Sequence, residues 1–330
     1  MLFQSEKAVL RAHHAALAEA TPATVAAALS RHTTPDWHWR GMHPWHTQTG
    51  AEAVARAFWR PFLAAMGRVQ RREDIFFAGA NQIDGFGSVW AVSMGHLMGL
   101  FDAPFMGIAP TRRMVLLRYA EFHRIAAGRI AETALFVDLL HLMRQAGQCP
   151  LPAQTGAHLV QPGPLTHDGL LRDPQPEAEG AATLDLICRM IGAINDHRRF
   201  SGPEEELAAN WHSDMVWWGP EGIGATWTIP RYIEQHQRPF RTRLSDRVYH
   251  GHVARLAEGR YGGFFGWPNL TMTSAGFMGL PPGSRGDLRV VDIYRRDGDR
   301  LAENWIFIDI PHYLAMQGRD LFAAEAAAAQ

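Results

Sequence analysis

The sequence predicts an α+β fold that occurs twice along one chain, with helices on one face of a curved antiparallel sheet in each copy. Three observations support this prediction. Short motifs recur in the same order in both halves, a Pro- and Gly-rich stretch separates the halves, and each half places helical segments before a run of strands. At about 150 residues per domain, the 330 residues leave room for two domains.

The internal repeat is carried by motifs that keep a nearly constant offset. The pattern Asp-x-x-Trp-x-Gly begins at Asp36 and again at Asp214, and the pattern Asp-x-x-His begins at Asp138 and again at Asp309. The offset is 178 residues for the first pair and 171 for the second, a drift that short loop deletions would produce. We therefore predict two copies of one domain, over residues 1–148 and 182–330.

Residues 149–181, between the copies, are rich in proline and glycine. Proline fixes φ and removes a backbone donor, so this stretch is predicted to be a linker without regular elements. A linker of this length lets the two copies pack face to face. We expect an intramolecular pseudo-dimer, and a further homodimer stays open.

Periodicity and turn signals predict the elements of the first copy in order. Helical spacing, with a Thr-Pro start at residue 21, indicates helices at 6–20, from 21 onward, and at 50–66 and 139–146. Alternation between turn signals indicates strands at 35–42, 69–78, 86–98, 112–124 and 129–138.

The second copy repeats this order. Its predicted helices are 182–198, 203–210 and 229–242, and its predicted strands are 213–218, 245–256, 260–273, 287–296 and 300–309. Arg296-Asp297-Gly298-Asp299 favours a hairpin turn before the last strand. The Ala-rich tail after Phe322 favours a helical end.

Composition excludes several classes of protein. With 32 basic and 33 acidic residues, the chain lacks the positive excess of a nucleic-acid-binding protein. Its 2 cysteines exclude a disulfide framework and a cysteine-rich zinc site. No apolar run approaches the roughly 18 residues of a membrane span, and the first residues do not form an export signal. We expect a cytoplasmic protein without nucleic-acid or membrane partners.

The end of each copy carries a short motif. It is Gly128-Arg-Ile-Ala-Glu132 followed by Asp138 in the first copy, and Arg300-Leu-Ala-Glu-Asn304-Trp305 followed by Asp309 in the second. The motif, with the element order, resembles the SnoaL-like polyketide cyclase branch of the nuclear-transport-factor-two-like superfamily. The resemblance implies two cone-shaped α+β barrel domains. The family commonly has Gly-x-Ile-x-Glu-His-Trp-Asp here, so Asn304 replaces the His and Phe307 lies near the Asp.

The resemblance implies an enzyme without a cofactor that performs acid–base chemistry on a hydrophobic carbonyl or polyketide-like molecule. Such chemistry needs a carboxylate or imidazole to remove a proton next to a carbonyl, and a donor to hold the enolate oxygen. An apolar pocket can raise a carboxylate's pKa to a useful value. With phenylalanine at the family's acid position in both copies, the remaining strand carboxylates are Asp138 and Asp309.

Candidate catalytic residues follow from the repeated Asp-x-x-His unit. Either Asp138 with His141 and Asp309 with His312 form acid–base pairs, or each Asp caps the helix that follows it. Asn304 either donates a hydrogen bond to a substrate carbonyl or satisfies a buried backbone group.

Aromatic residues and one histidine are the candidates for substrate binding. They either line a cavity or fill the core and surface, since Trp is a large apolar body that most folds bury. His96, at the position equivalent to Trp267, would serve the first cavity if its face of the strand points inward. The predicted binding set is Trp39, His96, Trp217, Trp218, Trp267 and Trp305.

No metal site is expected. His43 and His46 are three residues apart, a spacing that can bind a metal on a helix, but Pro44 disfavours a helix there and no third ligand is evident.

Three functional hypotheses remain. The chain is a cyclase- or isomerase-like enzyme, a non-catalytic protein that binds small molecules or acts as a scaffold, or an enzyme whose second copy alone retains a working site. The second hypothesis rests on the loss of the family's His-x-Asp pair in both copies. The third rests on Asn304 and Trp305.

Overall fold

The computed structural model describes residues 2–159 and 161–323, so the predicted helical tail lies almost entirely outside the described residues. In the first half, helices precede a four-stranded meander, as expected. The elements are α1 (Gln4–Ala18), α2 (Val25–His32), β1 (Thr33–Gly41), β2 (Thr47–Thr49), α3 (Ala51–Val54), α4 (Arg60–Ala65), β3 (Met66–Ala80), β4 (Val89–Phe101), β5 (Met114–Ala126), β6 (Arg129–Val137) and α5 (Leu139–Gln145).

The second half repeats this order, with one additional strand. Its elements are α6 (Glu177–Asn195), α7 (Pro203–Ala208), β7 (Trp211–Trp218), β8 (Thr226–Trp227), α8 (Ile229–Tyr232), α9 (Arg238–Arg243), β9 (Leu244–Tyr249), β10 (Ala254–Glu258), β11 (Tyr261–Ser274), β12 (Arg285–Asp297), β13 (Arg300–Ile308) and α10 (Ile310–Ala315). Among the described helices, none combines the length and the apolar character needed to cross a membrane.

Each half forms one mixed sheet with helices packed against it. The first sheet has the order β2-β1-β6-β5-β4-β3 and the second β10-β11-β12-β13-β7-β8, with β9 beside β11. The meander of each half is antiparallel, as predicted, and each sheet also contains one parallel pair, because the first long strand of each half lies beside and parallel to the last. In the first half the chain runs from β1 through helices to β3 at the far edge of the sheet, and the meander then brings β6 back beside β1. Neither sheet closes into a barrel.

Three details differ from the sequence predictions. The helix expected at 50–66 contains a π-helical turn at Ala55–Trp59, and its counterpart in the second half contains one at Ile233–Gln237. The strand expected at 245–256 is two strands. Helix α6 begins at Glu177, within the expected linker. Two glutamates and one alanine, residues 177–179, directly follow Pro176 and favour a helix start.

The two sheets pack against each other through one apolar cluster. The cluster combines aliphatic and aromatic residues from both meanders, and rings from the two halves lie close together: the centroids of Trp90 and Phe265 are 5.5 Å apart, and those of Phe122 and Phe265 are 5.3 Å apart. Both faces of each sheet are therefore apolar, one toward the helices of its own half and one toward the other sheet. This is the packing that an intramolecular pseudo-dimer requires.

Two carboxylates join the halves in a reciprocal pattern. The carboxylate of Asp138 accepts a hydrogen bond from the backbone N–H of Glu221 (2.9 Å), and the carboxylate of Asp309 accepts one from the backbone N–H of His43 (3.0 Å). Because donors and acceptors are separated by the same offsets as the sequence repeat, the two contacts are equivalents in the two halves. We call this pair of contacts the reciprocal latch.

The linker forms no helix or strand in its described residues before α6, but it is attached along its length. Ala157 exchanges two backbone hydrogen bonds with Ala225 of the second half, whereas Gly169 and Leu171 bond to both sides of Phe76 of the first. The Pro162 carbonyl accepts from the indole N–H of Trp305 (3.0 Å). The linker therefore forms part of the contact between the two sheets.

Replacing Asp309 with alanine is expected to destabilise the whole chain. The substitution removes a helix cap, a hydrogen bond between the halves and the partner of Arg289, whose guanidinium lies 3.4 Å away. Breaking a buried ion pair and losing a cap together cost about 3 kcal/mol or more. Urea unfolding measures this loss of stability.

The control is Asp84→Ala, because Asp84 caps an exposed local turn and its hydrogen bonds, to Gly87 and Ser88, stay within that turn. We expect it to cost about 1 kcal/mol. Equal losses for the two variants would contradict a role for Asp309 between the halves.

Candidate functional site

The second half encloses a cavity of about 520 Å³ between its sheet and its helices. Its wall is mainly apolar and aromatic, and its mouth lies between the end of α6 and strand β9, where Arg198 and Arg247 are exposed. This is a volume at which proteins enclose small organic molecules. The aromatic part of the wall comprises Trp211, Trp217, Tyr232, Phe240, Tyr249, Phe264 and Tyr294.

Asp292 is the carboxylate of this cavity. It lies on β12 within the apolar run Val290-Val291-Asp292-Ile293, and the residue is 8% exposed. Burial raises the pKa of Asp292 to about 7, against opposing contributions from the Asn304 amide and the Tyr294 hydroxyl. A carboxyl group with this pKa exists in both protonation states near neutral pH, which suits it to transfer protons.

Asn304 holds this carboxylate in place. Its side-chain amide donates to Asp292 Oδ1 at 3.0 Å and to the Ile293 carbonyl at 3.1 Å. Of the two roles predicted for Asn304, the observed contacts match the satisfaction of buried groups. They also place Asn304 in direct contact with the titrating group of the cavity.

Two histidines in the wall are kept neutral by burial. His236 stacks on Trp217 with ring centroids 3.9 Å apart, and His252 stacks on Phe264 at 3.8 Å. Burial lowers the pKa of each imidazole to about 3, with a further contribution from a nearby arginine. Neither imidazole carries a charge at neutral pH, so the cavity interior stays weakly polar.

The equivalent positions in the first half carry different side chains. Strand register pairs Ser93 with Glu121 and Phe264 with Asp292, so Glu121 is the counterpart of Asp292. His123 stands where the second half has Tyr294, Thr133 stands where it has Asn304, and Phe58 stands where it has His236. The carboxylate position is thus acidic in both halves, but its neighbours are not the same.

Glu121 lies in a packed polar cluster rather than at an open cavity. Its carboxylate pairs with Arg71 (2.6 Å), His14 (3.3 Å) and His123 (3.6 Å). Burial alone would raise its pKa, but Arg71 and the two imidazoles together hold the pKa of Glu121 well below its usual range. A smaller pocket of about 290 Å³ opens beside His14 and Arg71.

The structure corrects the predicted Asp–His pairs. Asp138 and Asp309 accept from the backbone N–H of His141 (3.0 Å) and His312 (3.1 Å), not from their imidazoles. Each carboxylate is therefore the helix cap of the alternative interpretation, and its second oxygen belongs to the reciprocal latch. Neither residue lines the cavity of the second half.

The predicted aromatic residues divide into three groups. Trp217 lines the cavity, and Trp39 is its equivalent in the packed core of the first half. Trp218, Trp267 and Trp305 lie between the sheets instead. They do so because neighbouring residues on a strand point to opposite faces, so Trp217 and Trp218 cannot line the same cavity.

His96 lies on the face of its strand that points away from the helices of its half. Its Nδ1 is 3.1 Å from Asp74, whereas Ser93 and Leu97, on the opposite face, point to the interior of the first half. The prediction that His96 supplies a titrating group to the first cavity is therefore corrected.

The sequence analysis missed Asp292. One signal could have identified it: an acid within an apolar strand, at the same offset of 171 from an acid in the apolar strand of the other half. Acidic residues are almost never fully buried unless they are paired, so a buried acid with a perturbed pKa is a candidate for a functional site.

Comparison with protein families gives a match in the first half of the chain. Residues 8–146 match the family model described as SnoaL-like polyketide cyclase. Over these residues, about two-fifths of the chain, the protein is similar to this family. The second half is the other copy of the tandem, with the same element order and the same parallel closure of its sheet as the SnoaL-like half. No curated protein matches the chain.

Solved structures of SnoaL-like and related proteins each cover about two-fifths of the chain. A protein of Jannaschia sp. CCS1 described as SnoaL-like is 22% identical over 42% of this chain and 89% of its own, with a TM-score of 0.35. IdmH of Streptomyces antibioticus, a candidate polyketide cyclase, is 20% identical over 41% and 98%, with a TM-score of 0.32. An NTF2-like protein of Burkholderia xenovorans LB400 is 11% identical over 42% and 97%, with a TM-score of 0.34.

Asp292→Asn is expected to stabilise the protein at high pH. The folded-state pKa of Asp292 is about 7, above its ordinary value of 3.8, so the wild type loses stability as pH rises from about 4 to 7. The variant lacks this loss. Its advantage should grow by up to about 1.4 kcal/mol per pH unit and level off above pH 7, at a total on the order of 4 kcal/mol.

Urea unfolding of both proteins between pH 4 and 9 measures this difference, and other titrating groups cancel in the comparison. A difference that is independent of pH would contradict a raised pKa for Asp292.

Proposed function

We propose that the second half is a cofactor-independent acid–base enzyme for a hydrophobic carbonyl compound, in which Asp292 transfers the proton. The observation that carries this proposal is the single buried carboxylate with a pKa of about 7 in the wall of an aromatic cavity. The first half, whose interior is packed, supports the second half through the contact between the sheets. The division of labour between the copies is part of the proposal.

Asp292 acts first as a base. Its ionised carboxylate removes a proton from the carbon next to a substrate carbonyl. The resulting carboxylic acid returns that proton either to another atom of the enolate or, when the enolate carbon has attacked a second carbonyl to close a ring, to the alkoxide oxygen formed there. Asn304 is the positioning residue, because its amide donates to the Oδ1 atom of Asp292 and fixes the carboxylate. Stacked rings around the cavity exclude water and keep the carboxylate's pKa high.

The cavity indicates the substrate class. Its aromatic wall favours a flat, apolar ring system of a size that fits about 520 Å³. At the mouth, the Arg247 guanidinium donates to Asn195 (3.3 Å), so a substrate with a hydroxyl or acidic group at its outer end would find donors there. A polyketide-like ketone combines these properties.

The exchange of substrate protons with solvent tests the proposal directly. In D₂O, the wild type should catalyse deuterium incorporation next to the carbonyl of bicyclic and aromatic ketones. Mass spectrometry measures this incorporation. Asp292→Asn should lower the rate by about 100-fold or more, because the amide cannot accept the proton. The wild-type rate should rise with pH through about 7, as Asp292 ionises.

Asp287→Asn is the matched control, since Asp287 lies on the same strand and bonds to Thr271 outside the cavity. Its exchange rate should stay within twofold of the wild type. Full activity of Asp292→Asn, or no exchange for any ketone of the panel, would contradict the proposal.

Binding without catalysis is the second candidate function. The observation that favours it is that the Asn304 amide already donates to Asp292 and to the Ile293 carbonyl, which leaves it no free hydrogen for an enolate oxygen. In this case the ketones would raise the melting temperature equally in the wild type and in Asp292→Asn, with no deuterium exchange in either protein.

A further inference from the structure

Three histidines from distant parts of the chain meet where the two halves touch. His43 and His46 lie between β1 and β2 of the first half, and His312 lies on α10 of the second. One side-chain nitrogen from each comes within 4.8 Å of the other two. The third imidazole that the sequence did not reveal is therefore supplied by the other half.

We propose that His43, His46 and His312 form a binding site for a divalent transition metal of the zinc type. Imidazole nitrogens are preferred ligands of such ions, and three of them are a common set for zinc. Two nitrogens bound to one zinc ion lie about 3.3 Å apart, so the ligands must close up slightly. His46 and His312 are partly exposed, whereas His43 is buried, so their rings have more freedom to move than that of His43.

The surroundings of His43 match those of a metal-binding imidazole. Its Nε2 lies 2.8 Å from Asp320, and metal-bound histidines commonly contact a carboxylate through the ring nitrogen that does not bind the metal. Its Nδ1 is buried without a hydrogen-bond partner among the described atoms, while the residue is 3% exposed. The backbone of His43 is fixed by the reciprocal latch.

The charges at this place permit a cation. The Arg289 guanidinium is nearby, but it pairs with Asp309 (3.4 Å) and stacks on Trp267 (4.2 Å), and Asp320 adds a second carboxylate.

A second group with suitable side chains carries no such proposal. His14, Glu121 and His123 are also close together, but the charge of Glu121 is already balanced by Arg71 at 2.6 Å. Because the proposed site draws ligands from both halves, metal binding there would stabilise their contact. This role is independent of the proton transfer proposed for Asp292.

Zinc titration of the metal-free, untagged protein tests the site. The wild type should bind 1 equivalent of Zn²⁺ by calorimetry, and its melting temperature should rise by about 3 °C or more with excess Zn²⁺. With Co²⁺, visible absorption should report nitrogen ligands in a site of low coordination number. His46→Asn should lower the affinity at least 100-fold, and Asp320→Asn 10- to 100-fold.

The control for His46→Asn is His167→Asn. Both histidines have a left-handed backbone (φ 53° and 57°), which asparagine accepts, but His167 is exposed and outside the group. His167→Asn should bind Zn²⁺ like the wild type, and circular dichroism verifies that each variant is folded. Absence of zinc binding by the wild type, unchanged affinity in His46→Asn, or loss of binding in His123→Asn would overturn the proposal.

Discussion

Each sheet has two apolar faces, and both must be buried. One face is covered by the helices of its own half, and the other by the opposite sheet, where Trp90, Phe122 and Phe265 meet. Because both faces are buried, polar groups near the contact are confined to positions where they find hydrogen-bond partners. A carboxylate placed there must find fixed donors, and Asp138 and Asp309 find them in backbone amides of the other half. Their carboxylates therefore serve the contact between the halves, and other residues line the interior of each half.

Within the shared fold, a few substitutions distinguish an open interior from a packed one. In the first half, Glu121 is surrounded by cationic and imidazole groups, which balance its charge and occupy the space. In the second half, Asp292 has an amide and a phenol beside it, and no cation pairs with it among the described residues. The pKa of Glu121 is thus lowered and that of Asp292 is raised, although the two acids occupy the same strand position. The charges beside the carboxylate, more than the backbone fold, account for the difference between the open and the packed interior.

The architecture followed from the sequence because its signals are local or repeated. Helical spacing placed α1, alternation placed β5, and the repeated Asp-x-x-His unit marked the ends of both sheets. The parallel pairing of β1 with β6 was missed, because the return of a strand beside a distant one leaves no local pattern. For the site the sequence indicated Trp217 and Asn304, which do line the cavity.

Other site residues depended on facts that the sequence alone does not contain. Trp218 and Trp305 were assigned to binding because aromatic character does not tell which face of a strand a side chain occupies. Asp292 was overlooked because its pKa depends on burial within the second half. The approach of His312 to His43 depends on the docking of two halves whose residues are far apart in sequence.

The attachment of the linker has a consequence for assembly. Ala157, Pro162, Gly169 and Leu171 of the linker bond to the two halves. The two sheets therefore come together as parts of one molecule, and their association is a unimolecular event with a high effective concentration. Dilution cannot separate them, as it would separate the subunits of a homodimer. A covalent pair is also free of the symmetry of a homodimer, in which every amino-acid change appears twice. One half of this chain could therefore fill its interior while the other kept a cavity.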